Sequence, residues 1–214
     1  MIHIEGLTVA FGRTLALDDL TLELSPGVTG LYGQNGSGKS TLLRVLAGLL
    51  RPTAGSVTVD GAPLSLRNEE WRRQVGYAGH SGGLYGDLTL AENLDLFRKL
   101  YGVSTARVRE VIDGVGMGSR AGTRVNELSA GLRRRAAVAR AMLHEPRLLL
   151  LDEPYANLDD EAAEQVSDLV RRWRAPGRAA VIATHGAKRV KGWADAGLVL
   201  QRGRQSSYRV AAEL

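Results

Sequence analysis

Apolar and polar residues alternate near the start of the chain, a pattern that is typical of half-exposed β-strands. The alternation covers residues 2–4 and 20–24, and a short apolar run at residues 28–32 leads directly into a cluster of glycines. Beyond the glycines, apolar residues recur at helical spacing as far as Leu50, and Pro52 follows shortly after. The pattern predicts an antiparallel sheet, followed by a strand, a glycine-rich loop and a helix.

The middle of the chain has mostly helical spacing. Short strands are predicted at residues 56–59 and 74–78, and helical periodicity then extends over residues 84–136. Thr89 and Glu92 have the spacing of a capping box, in which both side chains satisfy exposed N–H groups at the start of a helix. This segment is therefore predicted to be a helical insertion.

Two short apolar runs in the second half of the chain predict strands that are covered on both faces. They occupy residues 148–151 and 181–183, and a helical pattern over residues 160–174 separates them. Strands alternating with helices predict a parallel sheet. The expected fold class is α/β with a helical insertion.

The composition changes this picture little. The chain has 214 residues, of which 44% are hydrophobic and 24% charged, so disorder is excluded. It has no cysteine, which excludes disulfides and thiolate metal sites. No apolar run approaches the roughly 20 residues of a membrane span, so we expect none. The net charge of +5 is scattered rather than gathered in one tract, which favours a solvated surface over specific nucleic-acid binding.

The glycine cluster fits the phosphate-binding pattern G-x-x-x-x-G-K-[ST]. In this pattern successive backbone N–H groups surround phosphate oxygens at the N-terminus of the following helix. The lysine reaches the β- and γ-phosphates, and the serine hydroxyl binds Mg²⁺. The alternative is a glycine turn that only caps a helix. The predicted nucleotide-binding residues are Gly33, Asn35, Gly36, Ser37, Gly38, Lys39, Ser40 and Thr41.

Two acids follow the apolar run at residues 148–151. Ligands of open α/β sheets bind at the carboxyl ends of the strands, so Asp152 is predicted to orient Mg²⁺ together with Ser40. Glu153 is one residue further and would activate a water molecule against the γ-phosphate. The alternative, a solvated acidic turn before Pro154, loses weight once the glycine loop is considered.

The order of these motifs along the chain is informative beyond the individual motifs. Leu128, Ser129, Ala130 and Gly131 precede a helical run and by themselves would indicate only a serine N-cap. Placed between the helical insertion and the Asp-Glu strand, they make the chain resemble the ATPase domain of ATP-binding cassette (ABC) transporters. The resemblance covers residues 2–205, and it implies a RecA-like P-loop NTPase core with an antiparallel β subdomain.

The family resemblance implies roles for several residues. Ser129, Ala130 and Gly131 match the signature loop, which binds the γ-phosphate of ATP held by a second subunit. This sequence has Ala130 where the family has glycine and Leu132 where it has glutamine, which keeps the backbone donors but loses an amide. The implied assembly is a head-to-tail dimer with ATP at its interface.

Other positions are assigned by the same resemblance. His185, at the end of a predicted strand, matches the histidine that contacts the γ-phosphate and joins Glu153 and Lys39 as a catalytic residue. Asn157 and Asp159 lie in the loop that crosses to the partner subunit. Phe11 matches the aromatic residue that stacks on adenine, and its alternative is a core phenylalanine.

One position departs from the family pattern. The family usually has a glutamine after the strand that ends near Tyr77, where it reaches Mg²⁺ and senses the membrane subunit, and this chain has His80. Imidazole is a poor Mg²⁺ ligand, so His80 is expected to act through a water molecule or a phosphate. Tyr77, Gly79 and His80 also resemble the haem-exporter ATPases of cytochrome c maturation.

The resemblance implies one ABC ATPase domain over residues 1–214. Its catalytic core with the β subdomain would comprise residues 1–83 and 135–214, and its helical subdomain residues 84–134. The implied function is ATP hydrolysis, with ATP and Mg²⁺, that powers separate transmembrane permease subunits. The dimer partner would be a second ATPase subunit, most simply the same chain, and the expected location is the cytoplasmic side of the cell membrane.

Three alternatives remain open at this stage. One is an ABC ATPase that serves another cargo or acts outside transport on nucleic acid or ribosomes. A second is a P-loop GTPase or small-molecule kinase, although the chain has no Asn-Lys-x-Asp sequence. A third is a nucleotide-gated scaffold without catalysis. The run from Arg133 to Arg135 is interpreted as a solvated helix surface rather than as a nucleic-acid patch.

Overall fold

The computed structural model describes residues 1–64, 69–80, 82–186 and 188–210. The strands of this part of the chain are β1 (Ile2–Phe11), β2 (Thr14–Leu24), β3 (Gly27–Tyr32), β4 (Ala54–Val59), β5 (Ala62–Pro63), β6 (Val75–Ala78), β7 (Leu148–Asp152), β8 (Ala179–Thr184), β9 (Ala196–Gln201) and β10 (Arg204–Val210). Its α-helices are α1 (Lys39–Leu46), α2 (Glu69–Gln74), α3 (Leu90–Tyr101), α4 (Thr105–Gly114), α5 (Ala130–Met142), α6 (Asp160–Trp173) and α7 (Lys188–Lys191). Short 3₁₀ turns occur at Gly118–Arg120 and Val125–Glu127.

The strands form two sheets, as the alternation of the sequence predicts. The first is antiparallel, in the order β2-β1-β4-β5, and the second has the order β10-β9-β3-β8-β7-β6. In the second sheet only the β9–β10 pair is antiparallel. The predicted α/β class with an antiparallel sheet and a helical insertion between β6 and β7 is confirmed.

The large sheet separates two hydrophobic clusters. Side chains of a strand alternate between its two faces, and in β7 Leu149 and Leu151 enter the cluster that contains α3 to α6. Leu148 and Leu150 enter the other cluster, with α1 and the antiparallel sheet. All five residues of β7 are buried, which explains why this strand is apolar throughout.

The predicted capping box at the start of α3 is present. The backbone N–H of Glu92 donates to the Thr89 hydroxyl over 3.2 Å, and the Glu92 carboxylate accepts from the backbone N–H of Thr89 over 2.8 Å. These bonds hold the pKa of the Glu92 carboxyl below its usual value. The helix therefore begins where the sequence predicts.

The helix after the glycine loop is shorter than its apolar spacing predicts. It ends at Leu46, because Gly48 adopts φ +66° and donates its N–H to the carbonyl of Val45 over 2.9 Å. Leu49 consequently lies outside the helix and is 58% exposed. The apolar spacing to Leu50 overstated the helix by one turn.

Helix α5 packs directly on strand β6. A Cβ atom added to Gly76 would lie 2.0 Å from the carbonyl oxygen of Ala141, a separation that no side chain tolerates. The guanidinium of Arg140 in the same helix donates to the carbonyl of Tyr77 over 2.6 Å. Helix and strand are thus held together along their length. None of the helices in the described ranges is long and apolar enough to span a membrane.

Candidate functional site

Four parallel strands end at one edge of the large sheet. Tyr32 of β3 pairs with Thr184 of β8, and Asp152 of β7 pairs with Ala183, one residue earlier on β8. Leu151 of β7 in turn pairs with Ala78 at the end of β6. The segments that follow these strands carry the glycine loop, His185, Glu153 and His80, so the predicted site residues of these segments share this edge.

The glycine loop between β3 and α1 is closely packed by the chain around it. Gly38 adopts φ +105°, and a Cβ atom there would lie 2.5 Å from the carbonyl oxygen of Ala16 in β2. The carbonyl of Ser37 accepts from the N–H of Gly203 over 3.0 Å, and the carbonyl of Gly203 accepts from Asp18 over 3.0 Å. The turn between β9 and β10 therefore braces the loop, a contact that sequence patterns did not predict.

Lys39 is buried inside this loop. The residue is only 6% exposed, and its ammonium donates to the carbonyls of Gly33 over 2.7 Å and Gln34 over 3.0 Å. Among the described residues no carboxylate forms an ion pair with it. Burying a charge is costly unless it is paired, so the loop holds a cation that lacks an anion. This arrangement suits a phosphate group.

The other residues of the loop are positioned for an approaching ligand. Asn35, Gly36 and Ser40 are exposed, Thr41 is half-buried, and Ser40 lies in the first turn of α1. The Ser37 hydroxyl is buried and has no partner among the described residues. The first turn of a helix presents free N–H groups and positive potential, which favour anions.

Glu153 is tied to His185. The Glu153 carboxylate accepts from the backbone N–H of His185 over 2.9 Å. The Nδ1 atom of the His185 imidazole also lies 2.9 Å from this carboxylate. Glu153 has φ +51°, a conformation that is uncommon for a residue with a side chain and recurs at functional sites. Asp152 is 6% exposed and ends β7. A carboxylate that is oriented in this way can accept a proton from water.

Ser129 and Ala130 are exposed at the N-terminus of α5. The Ser129 hydroxyl accepts from the N–H of Leu132 over 3.3 Å, which confirms the predicted N-cap. A Cβ atom at Gly131 would lie 2.5 Å from the carbonyl oxygen of Asn157. The signature segment and the loop after Glu153 are therefore in direct contact within one chain, which explains the glycine at this position.

Asn157 and Asp159 differ in their contacts within the chain. Asn157 is exposed with φ +60°, whereas the Asp159 carboxylate accepts from the N–H of Ala162 over 2.8 Å and caps α6. Asp159 thus has a structural function within the chain. Its predicted contact with a partner subunit stays a prediction.

Phe11 and His80 are both exposed. Phe11 ends β1 and is 51% exposed, so the alternative of a core phenylalanine is wrong. The hairpin that carries it also carries Ala16, which touches the glycine loop at Gly38. His80 follows β6 directly, next to Gly79, whose carbonyl is held by Arg134. The structure leaves both side chains accessible to a ligand.

The interpretation of Arg133 to Arg135 as a solvated surface is wrong for two of the three residues. Arg133 is exposed, but Arg134 is 9% exposed and Arg135 is half-buried. Arg135 donates to the carbonyls of Val115 over 3.2 Å and Gly116 over 3.4 Å. Helical spacing carries the signal that was missed, because Arg134 shares a face with three buried residues, Ala137, Val138 and Ala141.

A groove of about 190 Å³ lies beside β6, at the opposite end of α5 from Ser129. Its lining includes Leu49, Arg72, Tyr77, Tyr101, Arg140 and His144. The rings of Tyr101 and His144 stack with centroids 4.0 Å apart, and the guanidinium of Arg140 lies 5.2 Å from the centroid of the Phe97 ring. The groove therefore has aromatic walls and a cationic character.

Fold and site together define a P-loop NTPase of the α/β class. The family model described as ABC transporter matches residues 17–156. The chain belongs to this family and is an ATP-binding cassette of the ATPase class, as its motifs predict.

The relatives agree with this assignment. A Nod factor export ATP-binding protein I of Rhizobium sp. (strain N33) is 35% identical over 209 residues, which are 95% of this chain and 69% of that protein. An uncharacterized ABC transporter ATP-binding protein of Mycobacterium tuberculosis (strain H37Rv) is 37% identical over 203 residues, or 90% of this chain and 82% of that protein. The chain spans between 55% and 69% of the first four curated relatives it matches.

A solved structure extends the similarity to the whole fold. It is a dimeric, post-hydrolysis state of an ATP-binding cassette bound to ADP and Pi. The TM-score is 0.89 at 25% sequence identity, and the alignment covers 99% of both chains. The similarity therefore includes the antiparallel sheet and the helical insertion as well as the P-loop core.

His144, which lines the groove beside β6, makes the stability of the protein depend on pH. Burial, with smaller contributions from the charges of Arg140 and Arg107, lowers the pKa of His144 to about 4, although its hydrogen bond to the Val75 carbonyl acts in the opposite direction. The folded protein thus holds His144 neutral while the unfolded chain takes up a proton near pH 6.5. This difference favours folding above pH 6.5 and is lost as the pH falls toward 4.

We expect the free energy of unfolding to fall by about 2 kcal/mol between pH 7 and pH 5 because of this residue. Chemical denaturation at the two pH values measures it. His144→Gln should remove this part of the decrease, whereas the exposed control His80→Gln should keep it. An equal decrease in wild type and His144→Gln would contradict the prediction.

Proposed function

We propose that this chain binds and hydrolyses ATP as the energy-supplying subunit of a transporter whose membrane subunits are separate chains. The buried ammonium of Lys39 carries the proposal: its partners in the described part of the chain are neutral carbonyls, and triphosphate oxygens would supply the missing anion. The similar dimeric cassette was solved with ADP and Pi, the products of that reaction.

Nucleotide binding would use the loop between β3 and α1. Backbone N–H groups of Gly36, Ser37 and Gly38 and the N-terminus of α1 would surround the phosphates, and Lys39 would exchange its carbonyl partners for phosphate oxygens. Phe11, exposed at the end of β1, would stack on the adenine ring. These contacts position the γ-phosphate near the ends of β7 and β8.

The Ser40 hydroxyl and the Asp152 carboxylate fit a Mg²⁺ ion. Both are hard oxygen donors, and they lie on the segment after β3 and at the end of β7, at one sheet edge. When bound there, Mg²⁺ neutralises charge on the phosphates. Asp152 is buried at the end of β7, and Arg134 holds its backbone carbonyl over 3.1 Å.

Hydrolysis would depend on Glu153 and His185. The Glu153 carboxylate accepts the proton of the attacking water molecule, and the backbone N–H of His185 holds that carboxylate over 2.9 Å. The His185 side chain is 68% exposed, so its imidazole is accessible to the γ-phosphate as well as to Glu153. The retention of both groups makes a scaffold without catalysis the weaker alternative.

The second half of the site would come from another copy of this chain. Ser129 and Ala130 are exposed at the N-terminus of α5, and buried Gly131 follows them in the first turn, where free N–H groups favour an anion. In a head-to-tail dimer this N-terminus would bind the γ-phosphate held by the partner, and Asn157 and Asp159 would lie at the interface. The single-domain division, with a helical subdomain at residues 84–134, is part of this proposal.

The membrane subunit would dock in the groove beside β6. Arg72 and Arg140 line it, and the lining has no carboxylate among the described residues. The exposed side chain of Leu49 adds an apolar rim. Charge complementarity favours a segment with an acidic and an apolar side chain, on a membrane subunit whose cytoplasmic loops reach this chain. The chain would then lie on the cytoplasmic face of the membrane.

The cargo is a finer question. Haem export in cytochrome c maturation rests on Tyr77, Gly79 and His80, whereas the printed names of several relatives concern Nod factor export. His80 would meet phosphate or a water molecule at the position where the family usually has glutamine. The groove favours transport of either cargo over a nucleic-acid function, because its two arginines lie apart from any continuous basic tract.

Glu153→Gln tests the catalytic assignment. The variant keeps the size and one acceptor oxygen of the side chain but cannot accept the proton, so hydrolysis should fall by about 100-fold or more. ATP affinity, measured by equilibrium dialysis, should change less than about threefold, and ATP-bound dimers should accumulate. Glu161→Gln, at an exposed position of α6, is the control. Hydrolysis by Glu153→Gln at the wild-type rate would refute the assignment.

Arg72→Glu tests the docking surface. Because Arg72 is exposed at the groove and away from the glycine loop, the isolated chain should keep its ATPase rate. Recovery of the membrane subunit that copurifies with the wild-type chain should decrease by at least about tenfold. Arg73→Glu, its exposed neighbour outside the groove, should copurify normally. Equal recovery of both variants would contradict docking at this groove.

A further inference from the structure

Arg134 joins three parts of the site that sequence analysis treated separately. It lies in the second turn of α5, and its Nη1 atom donates to the carbonyl of Gly79 over 3.3 Å and to the carbonyl of Asp152 over 3.1 Å. Gly79 directly precedes His80, and Asp152 directly precedes Glu153. One guanidinium therefore connects the signature helix, the loop after β6 and the end of β7.

The burial of this arginine requires an explanation. At 9% exposure the guanidinium has lost most of its water, and no ion pair includes it in the part of the chain that the structure describes. Charge-assisted hydrogen bonds to two carbonyls compensate in part for that desolvation. Because a buried ion is weak evidence for stability, its geometric effect matters more: it fixes two backbone segments relative to one helix.

Helix α5 also contacts the sheet at a second place. Arg140 donates to the carbonyl of Tyr77 over 2.6 Å, and Gly76 packs against the carbonyl of Ala141. The main chain at the end of β6 is thus attached to α5 on both sides of Ala78, at Tyr77 and at Gly79. A small rotation of α5 would displace the main chain at Gly79 and Asp152.

We propose that Arg134 is a positioning residue that couples the two nucleotide sites of the dimer. This inference rests on the proposed function, in which Ser129 at the tip of α5 binds the partner's ATP while Asp152 and Glu153 act on the chain's own ATP. Closure of α5 on one nucleotide is transmitted through Arg134 to the acids at the other. Hydrolysis at the two sites is consequently cooperative.

The experiment compares Arg134→Gln and Arg134→Lys with Arg135→Gln as the matched control. Arg135 is the next residue of the same helix, but its guanidinium contacts other groups. These are the carbonyls of Val115 and Gly116, which follow α4, and the side chain of Gln165 in α6. Steady-state ATPase rates over a range of ATP concentrations give kcat, the half-saturating concentration and the Hill coefficient. Thermal unfolding of each variant reports the structural cost separately.

Arg134→Gln should lower kcat by about tenfold, with less than about a threefold change in half-saturating ATP, and reduce the Hill coefficient from above 1, toward the limit of about 2 that two sites set, to about 1. Arg135→Gln should lower the unfolding temperature to a similar extent while keeping the Hill coefficient of wild type. Arg134→Lys keeps the charge and one donor group in place of the guanidinium, so it should restore part of the cooperativity and remain testable if the glutamine variant does not fold.

Two outcomes would overturn the inference and leave the proposed function intact. One is a Hill coefficient near 1 in active wild type. The other is a folded Arg134 variant with the wild-type Hill coefficient and kcat. A wild-type chain that binds ATP without hydrolysing it would instead refute the proposed function.

Discussion

The organisation of the site depends on one buried charge. The ammonium of Lys39 lies inside the loop between β3 and α1 and is held by the carbonyls of Gly33 and Gln34. Neutral carbonyls compensate only partly for the loss of water around a cation, so the loop is complete when an anion enters. The surroundings hold the loop in this state, since β2 packs on Gly38 and the β9–β10 turn binds Ser37.

The parallel sheet determines what the anion meets. Because β3, β8 and β7 are neighbouring parallel strands, the groups that follow them lie close together at one edge of the sheet. Glu153 and His185 are already in contact, and Asp152 is buried beside them. The signature segment is exposed at Ser129 and Ala130, and the proposed chemistry places a second copy of the chain there.

The sequence predicted what is local and periodic. Strand alternation, the apolar run of β7, the capping box at Thr89 and the order of the motifs were sufficient for the fold class and for the edge that carries the site. Contacts between distant segments were not predicted, because Gly203 reaches Ser37, and Gly131 reaches Asn157, only after folding. The three successive arginines were expected to point in different directions around a solvated helix, and the burial of Arg134 was missed because its partners, the carbonyls of Gly79 and Asp152, are distant in sequence.

The central claim is that one nucleotide binds between the loop of one chain and the signature segment of another. The chain has no cysteine, so single cysteines can report this contact. Asn35→Cys and Ser129→Cys, both at exposed positions, are made in separate chains that also carry Glu153→Gln, and the chains are mixed under mild oxidation. Disulfide-linked dimers are predicted to form when the two variants are mixed in the presence of ATP. Neither variant by itself should form them. Linked dimers from Asn35→Cys alone, or none in the ATP-bound mixture, would contradict the central claim.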